Sequence, residues 1–247
     1  MIEIESLKKR FGSSQVLDGL SLTVNTGETL VILGRSGVGK SVLLKHVIGI
    51  TKPDEGTIDV DGVRISDLSG VDLYKAIKEM GMLFQGAALF DSMTIAENTA
   101  FYLTQHSQEP TLSIEERNER VNKALEMVGL EGTQDKMPSE LSGGMRKRAG
   151  LARLIVYRPK VLLYDEPTTG LDPITSMQIN KLIIETQREL GATSIVVTHD
   201  IVSALYIADR LALHKDEPDA FMRTEDPIID FLRETIERNP REMRENR

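Results

Sequence analysis

Residues 34–41 of the 247-residue chain have the types and spacing needed to bind a phosphate chain. Their pattern is G-x-x-x-x-G-K-S, preceded by the apolar run 30–33 and followed by apolar residues at helical spacing. Glycines allow backbone N–H groups to point inward, and the following helix adds N–H groups and a favourable dipole. Lys40 can reach the β- and γ-phosphates, and the Ser41 hydroxyl is suited to ligate Mg²⁺. The predicted binding residues are Gly34, Arg35, Ser36, Gly37, Val38, Gly39, Lys40, Ser41 and Val42.

Two adjacent carboxylates, Asp165 and Glu166, end the apolar run 161–164. A buried strand that ends in this way delivers both side chains to the carboxyl edge of a sheet, where α/β proteins bind ligands. We expect Asp165 to hold Mg²⁺, directly or through a water molecule. We expect Glu166 to orient and deprotonate the water that attacks a γ-phosphate.

A second candidate anion site lies at residues 141–145, Leu-Ser-Gly-Gly-Met. Ser142, Gly143 and Gly144 open a predicted helix, so that one hydroxyl and several N–H groups are available to an anion. A chain that binds one triphosphate does not need two such sites.

An α/β core is needed to position these residues. Apolar runs predict four buried strands, and helical patterns lie among them. The strands are 30–33, 81–84, 161–164 and 194–197, and the helices are 71–80, one after Gly144, 175–190 and 201–208. Strands that alternate with helices favour a parallel sheet with right-handed crossovers.

Two further regions flank this core. Alternating apolar and polar residues over 2–5 and 20–24 predict an antiparallel β layer before the nucleotide strand. Strand signals disappear from residue 94 to about residue 138, where Ser113 and Glu116 form a capping box ahead of helically spaced apolar residues. We therefore predict an α-helical subdomain, at about residues 92–140, inserted into the core.

Composition and charge exclude several classes of protein. The net charge of −8 gives no broad basic face for nucleic acid, and the basic run 146–148 is interpreted as a solvated helix face. The absence of cysteine excludes disulfides and thiolate metal sites. Because no apolar run is long enough to span a bilayer and no signal sequence begins the chain, we expect a cytoplasmic protein whose membrane role comes through a partner.

In type and order these motifs resemble those of the ATP-binding cassette (ABC) family, from residue 11 to residue 199. The resemblance implies a P-loop NTPase of the ABC ATPase fold over residues 1–215, with a RecA-like parallel sheet core, an N-terminal antiparallel β layer and an inserted α-helical subdomain. It implies an ATP hydrolase that uses ATP and Mg²⁺ and drives a separate permease. It also implies a homodimer that sandwiches two ATP molecules, in which the Ser142 loop of one chain closes on the ATP held by the other.

The resemblance assigns roles to four residues whose types alone would not reveal them. Gln85 matches the family's glutamine loop, which contacts Mg²⁺ or water and communicates with the membrane partner. His199 matches the histidine that contacts the γ-phosphate, and Asp172 matches an aspartate near the dimer interface. Phe11 lies where the family stacks an aromatic ring on adenine, although an aromatic residue near a turn is often only part of the core.

Residues 85–94, Gln-Gly-Ala-Ala-Leu-Phe-Asp-Ser-Met-Thr, are similar to one branch of the family, the Mla-type cassettes that power lipid transport with MCE-domain proteins. Residues 97–98, 164–167 and 172–175, and Met145 in place of the commoner Gln, are also similar to this branch. The resemblance implies phospholipid transport between membranes. The implied partners are a transmembrane permease, an MCE-domain lipid-binding protein and a small accessory subunit, with the chain held on the inner face of the inner membrane through the permease.

Two features depart from the family pattern. Residues 211–215 run directly into 216–218, so the pair of strands that usually follows the last helix is expected to be shortened or missing. Met145 cannot make the hydrogen bonds of a glutamine, but Ser142, Gly143 and Gly144 carry the phosphate contacts, and we expect activity to survive.

Residues 216–247 are predicted to form a C-terminal extension with a short amphipathic helix and a charged tail. We expect the apolar face of this helix, formed by Ile228, Leu232 and Ile236, to dock on the partner subunit or an accessory protein, or else to pack on the chain's own domain.

Three alternative functions remain open from the sequence. One is transport of a small polar solute. Another is a cassette ATPase without a membrane partner, but the stretch from Lys40 to Asp165 lacks the long coiled coil of the DNA-repair type, and the chain has one cassette where the ribosome-associated type has two. The third is a nucleotide-binding regulator without hydrolysis, which the presence of Glu166 and His199 opposes.

Overall fold

The structure, a computed structural model, describes residues 1–105 and 112–213. The strands in this part of the chain are β1 (Ile2–Phe11), β2 (Ser14–Val24), β3 (Thr29–Leu33), β4 (Glu55–Val60), β5 (Val63–Arg64), β6 (Met80–Leu83), β7 (Val161–Asp165), β8 (Thr193–Thr198) and β9 (Arg210–Leu213). The helices are α1 (Lys40–Val47), α2 (Gly70–Ile77), α3 (Ile95–Gln105), α4 (Ile114–Met127), α5 (Gly143–Ile155), α6 (Pro173–Leu190) and α7 (Ile201–Ile207), with short 3₁₀ turns at Ile65–Asp67 and Pro138–Glu140.

The centre of the molecule is a parallel sheet with the strand order β6-β7-β8-β3-β9. Its strands consist largely of apolar residues because both faces of the sheet are covered. In β3, Leu30 and Ile32 contribute to one hydrophobic cluster, whereas Val31 and Leu33 contribute to the other. The predicted α/β core with a parallel sheet is confirmed.

An antiparallel sheet, with the order β2-β1-β4-β5, covers one side of this core. The inward residues of β1 share a buried cluster with α1 and with one face of the parallel sheet. These inward residues are Ile2, Ile4 and Leu7. The predicted N-terminal antiparallel β layer is therefore present.

Helices α3, α4 and α5 pack against one another between β6 and β7 in the chain. The predicted capping box at the start of α4 is formed, since the Glu116 N–H donates to Ser113 Oγ over 3.1 Å and the Ser113 N–H donates to Glu116 Oε2 over 2.8 Å. Helix α5 also contacts β6, so it connects the helical region to the parallel sheet. The boundaries proposed for the helical subdomain remain predictions.

The structure differs from the sequence-based expectations at the end of α2 and at residues 210–213. Helix α2 ends at Ile77, and Met80 begins β6 because it pairs with Val161 and lies buried in the core. Residues 210–213 form the strand β9, which pairs with β3 at the edge of the parallel sheet.

The expectations about the chain after Leu213 lie outside the described residues. These are the shortened strand pair and the C-terminal extension of residues 216–247 with its helix at Ile228, Leu232 and Ile236. In the part of the chain that is described, no helix has the length and apolar character needed to cross a lipid bilayer.

Candidate active site

The carboxyl ends of four neighbouring parallel strands bring the predicted site residues to one edge of the sheet. Gly34 follows β3 and His199 follows β8, directly after the paired residues at the ends of these strands. Gln85 lies two residues beyond Leu83, the last residue of β6, and Glu166 directly follows Asp165, the last residue of β7. The parallel register therefore gathers side chains from distant parts of the sequence at the edge where α/β proteins bind ligands.

The loop between β3 and α1, which is predicted to hold phosphate, contains glycines with positive φ angles. Gly37 and Gly39 have φ angles of +88° and +100°, in the region that favours glycine. A Cβ atom on Gly39 would lie 2.8 Å from Val16 Cγ1, so the loop also passes too close to β2 for a side chain. The open backbone and the start of α1 at Lys40 fit a chain of phosphate groups.

The Lys40 ammonium group joins this loop to the predicted base. It donates to the carbonyl oxygens of Gly34 and Arg35 over 2.7 and 2.8 Å. It also forms an ion pair with Glu166 Oε1 over 3.2 Å, and both side chains are largely buried. Removal of either partner would leave the other as an uncompensated buried charge, which is strongly unfavourable.

Ser41 and Asp165 form the pair predicted to bind Mg²⁺. The Ser41 hydroxyl donates to Asp165 Oδ1 over 2.7 Å. Burial raises the pKa of the Asp165 carboxyl, and the Ser41 hydrogen bond opposes that rise. Within the described residues no cluster of three or more His, Cys, Asp or Glu side chains could hold a metal. A hydroxyl, one carboxylate and oxygens from phosphate and water are nevertheless a ligand set that suits Mg²⁺.

Glu166 occupies a strained and closely held position. Its φ of +49° is unusual for a residue with a side chain and costs about 1–2 kcal/mol. Its N–H donates to the Val197 carbonyl over 2.9 Å, which fixes the backbone beside β8. Its Oε2 accepts hydrogen bonds from His199 Nδ1 over 2.8 Å and from Thr169 Oγ1 over 3.0 Å. Glu166 thus lies between Lys40 and His199.

The position of Lys147 contradicts the prediction that residues 146–148 form a solvated helix face. The basic run 146–148 was expected to form a solvated face, but the Lys147 side chain is only 6% exposed. Its Nζ donates to the carbonyl oxygens of Gln85 and Glu166, the latter over 3.3 Å, and burial lowers its pKa. The signal that could have located it is helical spacing, because Lys147 precedes the buried Leu151 by four positions on α5.

Thr169 is a residue of the candidate site that the sequence did not predict. Its hydroxyl is one of the donors to Glu166, as described above. A threonine in a loop carries no periodic or compositional signal, so only the folded chain reveals this contact.

The Ser142 loop lies beside the Asp172 loop and the start of α6. Ser142 caps α5 by accepting a hydrogen bond from the Met145 N–H over 3.3 Å. A Cβ atom on Gly144 would lie 2.5 Å from Thr175 Cγ2 at the start of α6. Among the described residues, no hydrogen bond or ion pair joins residues 142–144 to residues 34–41.

Asp172 is the N-terminal cap of helix α6. Its Oδ1 accepts hydrogen bonds from the N–H groups of Ile174 and Thr175, both over 3.0 Å, and so caps α6. The hydrogen bond from the Thr175 hydroxyl is the main cause of its lowered pKa. Asp172 and Ile174 are exposed, and Ile174 retains 75% of its accessible surface.

The two remaining predicted residues, Phe11 and Gln85, are exposed. Phe11 ends β1 with half of its surface exposed, and the Lys9 ammonium lies 5.5 Å from the centre of its ring. The Gln85 side chain is exposed, while its carbonyl accepts the hydrogen bond from Lys147.

Comparison with known proteins identifies the family of this chain. A sequence model of the family described as "ABC transporter" matches residues 17–169. The chain is 41% identical over 217 residues to the intermembrane phospholipid transport system ATP-binding protein MlaF of Escherichia coli, covering 88% of this chain and 80% of MlaF. It is 43% identical over 212 residues to the "Probable ribonucleotide transport ATP-binding protein mkl" of Mycobacterium tuberculosis, covering 86% of this chain but only 58% of the relative's length.

Solved structures resemble the fold described here. A dimeric ATP-binding cassette in a post-hydrolysis state, bound to ADP and Pi, superposes with a TM-score of 0.80 at 32% identity. The superposition covers 87% of this chain and 95% of that cassette. The family resemblance and the ABC ATPase fold predicted from the sequence are thus confirmed, and the chain belongs to the ABC transporter family.

Proposed function

We propose that this chain is the ATP-hydrolysing subunit of a transporter and that residues 34–41, Asp165, Glu166 and His199 form its catalytic centre. The observation that carries the proposal is the contact of Glu166 with both Lys40 and His199 at the end of the phosphate cradle. A carboxylate at this place can receive a proton from water that approaches the terminal phosphate.

ATP would be held by the backbone N–H groups of the cradle and by Lys40, which offset the charge of the phosphate chain. Ser41, Asp165 and Gln85 would hold Mg²⁺, which supplies charge neutralisation at the β- and γ-phosphates when bound. The positions of Ser41 and Asp165 support this assignment, since both side chains offer an oxygen atom as a metal ligand and the two oxygens lie 2.7 Å apart. Phe11 would stack on the adenine.

The proposed reaction is an in-line displacement at the γ-phosphorus. The water oxygen forms a bond to phosphorus while the bond from phosphorus to the β–γ bridging oxygen breaks, and the electron pair of that bond leaves with ADP. The water proton passes to the Glu166 carboxylate. Thr169 and His199 orient this carboxylate, and His199 also contacts the γ-phosphate.

The reaction would take place between two copies of the chain. The Ser142 loop forms an anion site that is not joined to the cradle of its own chain, which supports contact with the nucleotide of a second copy. ATP that touches both chains favours the closed dimer, and loss of the γ-phosphate removes that bridge. Asp172 and its neighbours adjoin the Ser142 loop and would lie in the same interface.

The test compares Glu166→Gln with the wild type and with Glu185→Gln, a matched change at an exposed carboxylate on α6. Phosphate release from Mg·ATP is expected to fall at least about 100-fold in Glu166→Gln, while ATP binding is retained and a dimer accumulates in size-exclusion chromatography. Glu185→Gln is expected to match the wild type. Near-normal turnover by Glu166→Gln would remove Glu166 as the base.

The proposed cargo is phospholipid, moved between membranes by a separate permease. Similarity to MlaF, whose name refers to intermembrane phospholipid transport, supports this proposal. The proposed partners are the permease, an MCE-domain lipid-binding protein and a small accessory subunit. The chain would then lie on the cytoplasmic face of the inner membrane, bound through the permease.

A small polar solute is the second candidate cargo, because the mycobacterial relative is named for ribonucleotide transport. The two are separated by purifying the tagged chain from its native membranes in mild detergent and identifying what accompanies it. A permease with an MCE-domain protein supports phospholipid. A permease with a solute-binding protein supports the polar solute, and recovery without any membrane partner contradicts both.

A further inference from the structure

Lys147 is a buried cation that the proposed mechanism does not use. It lies on α5, the helix that begins at the Ser142 loop, and its side chain is 6% exposed. A buried ammonium group is unfavourable unless its donors are paired and its charge is compensated. Its Nζ is paired with two main-chain carbonyls, and the carboxylates of Asp165 and Glu166 provide the opposite charge.

The two carbonyls belong to residues with assigned roles. One is the carbonyl of Gln85, the residue two positions beyond the β6 pairing. The other is the carbonyl of Glu166, which has the strained φ of +49°. A single ammonium group therefore ties the loop after β6 to the turn that carries the proposed base.

A second cation of α5 holds the same loop further along. The Arg153 guanidinium donates to the carbonyl oxygens of Ala87 and Ala88 over 2.9 and 2.7 Å. These two alanines have φ angles of +62° and +48°, so the loop is strained where Arg153 holds it. The backbone after β6 thus depends on α5 at two independent points.

We propose that Lys147 is a positioning residue for ATP hydrolysis, because its ammonium group fixes the main chain of Gln85 and Glu166 relative to each other. This inference rests on the proposed function above. In this arrangement α5, the helix that begins at the Ser142 loop, also sets the position of the base Glu166. Lys147 acts through the backbone and does not touch the reacting atoms.

The first test is a kinetic comparison of Lys147→Met, Lys147→Gln and the wild type. Methionine keeps the length and apolar stem but leaves both carbonyls without their donor, whereas glutamine retains N–H donors. We expect kcat of Lys147→Met to fall about 10- to 100-fold, because small displacements of a catalytic group have effects of this size. We expect ATP affinity to stay within about threefold of the wild type and Lys147→Gln to recover part of kcat.

The matched control is Lys181→Met, at an exposed lysine of α6, which should leave kcat unchanged. Wild-type kcat in folded Lys147→Met would overturn the proposal. So would a loss confined to ATP affinity, since that would indicate a structural role alone. If Lys147→Met does not fold, Lys147→Ala, which also removes both donors, is assayed in its place: kcat reduced at unchanged affinity supports the proposal, and unchanged kcat overturns it.

The second test is hydrogen exchange, which does not require turnover. In Lys147→Met, the amides of residues 85–88 and 166–169 should exchange faster, while those of residues 36–41 remain as in the wild type. Unchanged exchange in both segments would show that Lys147 does not fix their backbone, and this would overturn the proposal. If the wild type releases no phosphate from ATP, the proposed function fails, and exchange still decides whether Lys147 holds the two loops.

Discussion

At the residue scale, Lys40 is the group on which nucleotide affinity should depend most. Its ammonium contacts two carbonyls of the cradle and the Glu166 carboxylate. Lys40→Met removes the charge while preserving most of the volume. Because a hydrogen bond to a charged group contributes about 1.5–3 kcal/mol, ATP affinity should fall about 10- to 100-fold.

This prediction is measured by titration with a fluorescent ATP analogue. Lys123→Met, at an exposed position of α4, is the control and should bind as the wild type does. Unchanged affinity in Lys40→Met would contradict the assignment of residues 34–41 as the phosphate cradle.

Thr169 should affect turnover rather than binding. Its hydroxyl donates to Glu166 Oε2, and Thr169→Val removes this donor with little change in shape. We expect kcat to fall about 3- to 10-fold at unchanged ATP affinity, since one orienting hydrogen bond of several is lost. Steady-state phosphate release measures the effect, with Thr104→Val on α3 as the control. A fall in affinity without a fall in kcat would contradict an orienting role.

The residues of the site were predictable to different degrees, for physical reasons. Spacing alone located residues 34–41 and the Asp165–Glu166 pair, because a phosphate cradle and a strand-end carboxylate pair require particular types in sequence. Lys147 was misplaced because a charged residue between two arginines suggests solvent, and its compensation comes from carbonyls distant in the sequence. The contact between Thr169 and Glu166 depends on how the loop folds.

At the scale of elements, the starts of α5 and α6 approach each other closely at Gly144. A Cβ atom there would lie 2.5 Å from Thr175 Cγ2, whereas one on Gly143 would lie 3.7 Å from Leu171 Cδ2, an ordinary contact. Gly144→Ala should therefore lower the free energy of unfolding by about 1–3 kcal/mol, as overpacking does. Gly143→Ala should leave it within about 1 kcal/mol of the wild type, since alanine has the higher helix propensity.

Denaturation in urea, followed by far-UV circular dichroism, measures both variants. Equal stability of Gly144→Ala and Gly143→Ala would show that the two helix starts are free to separate. It would also weaken the inference that the Ser142 and Asp172 loops present one surface.

The central strands were predictable because strands buried on both faces are continuous apolar runs. The bounds of α2 were less predictable, because none of its residues is buried and packing against the core therefore does not define its ends. The strand β9 was not predicted because it is only four residues long and gains its place by pairing with β3 at the edge of the sheet. Local periodicity does not contain that information.

At the scale of the whole molecule, the cradle and the Ser142 loop are two half-sites of one chain. In a twofold dimer, the cradle of each copy would face the Ser142 loop of the other. Each nucleotide would then require one functional cradle and one functional Ser142 loop, supplied by different chains. This arrangement is testable by mixing two inactive variants.

Lys40→Met removes the cradle's cation, and Ser142→Asp places a negative charge at the anion site while retaining an oxygen that can cap α5. Each variant alone should release little phosphate. A mixed dimer has one site built from an intact cradle and an intact Ser142 loop, so an equal mixture should recover up to about a quarter of wild-type turnover. A mixture in which both chains carry Glu166→Gln in addition is the control and should stay inactive. If the equal mixture of single variants also stays inactive while mixed dimers form, each site is completed within one chain, and the shared-site dimer is wrong.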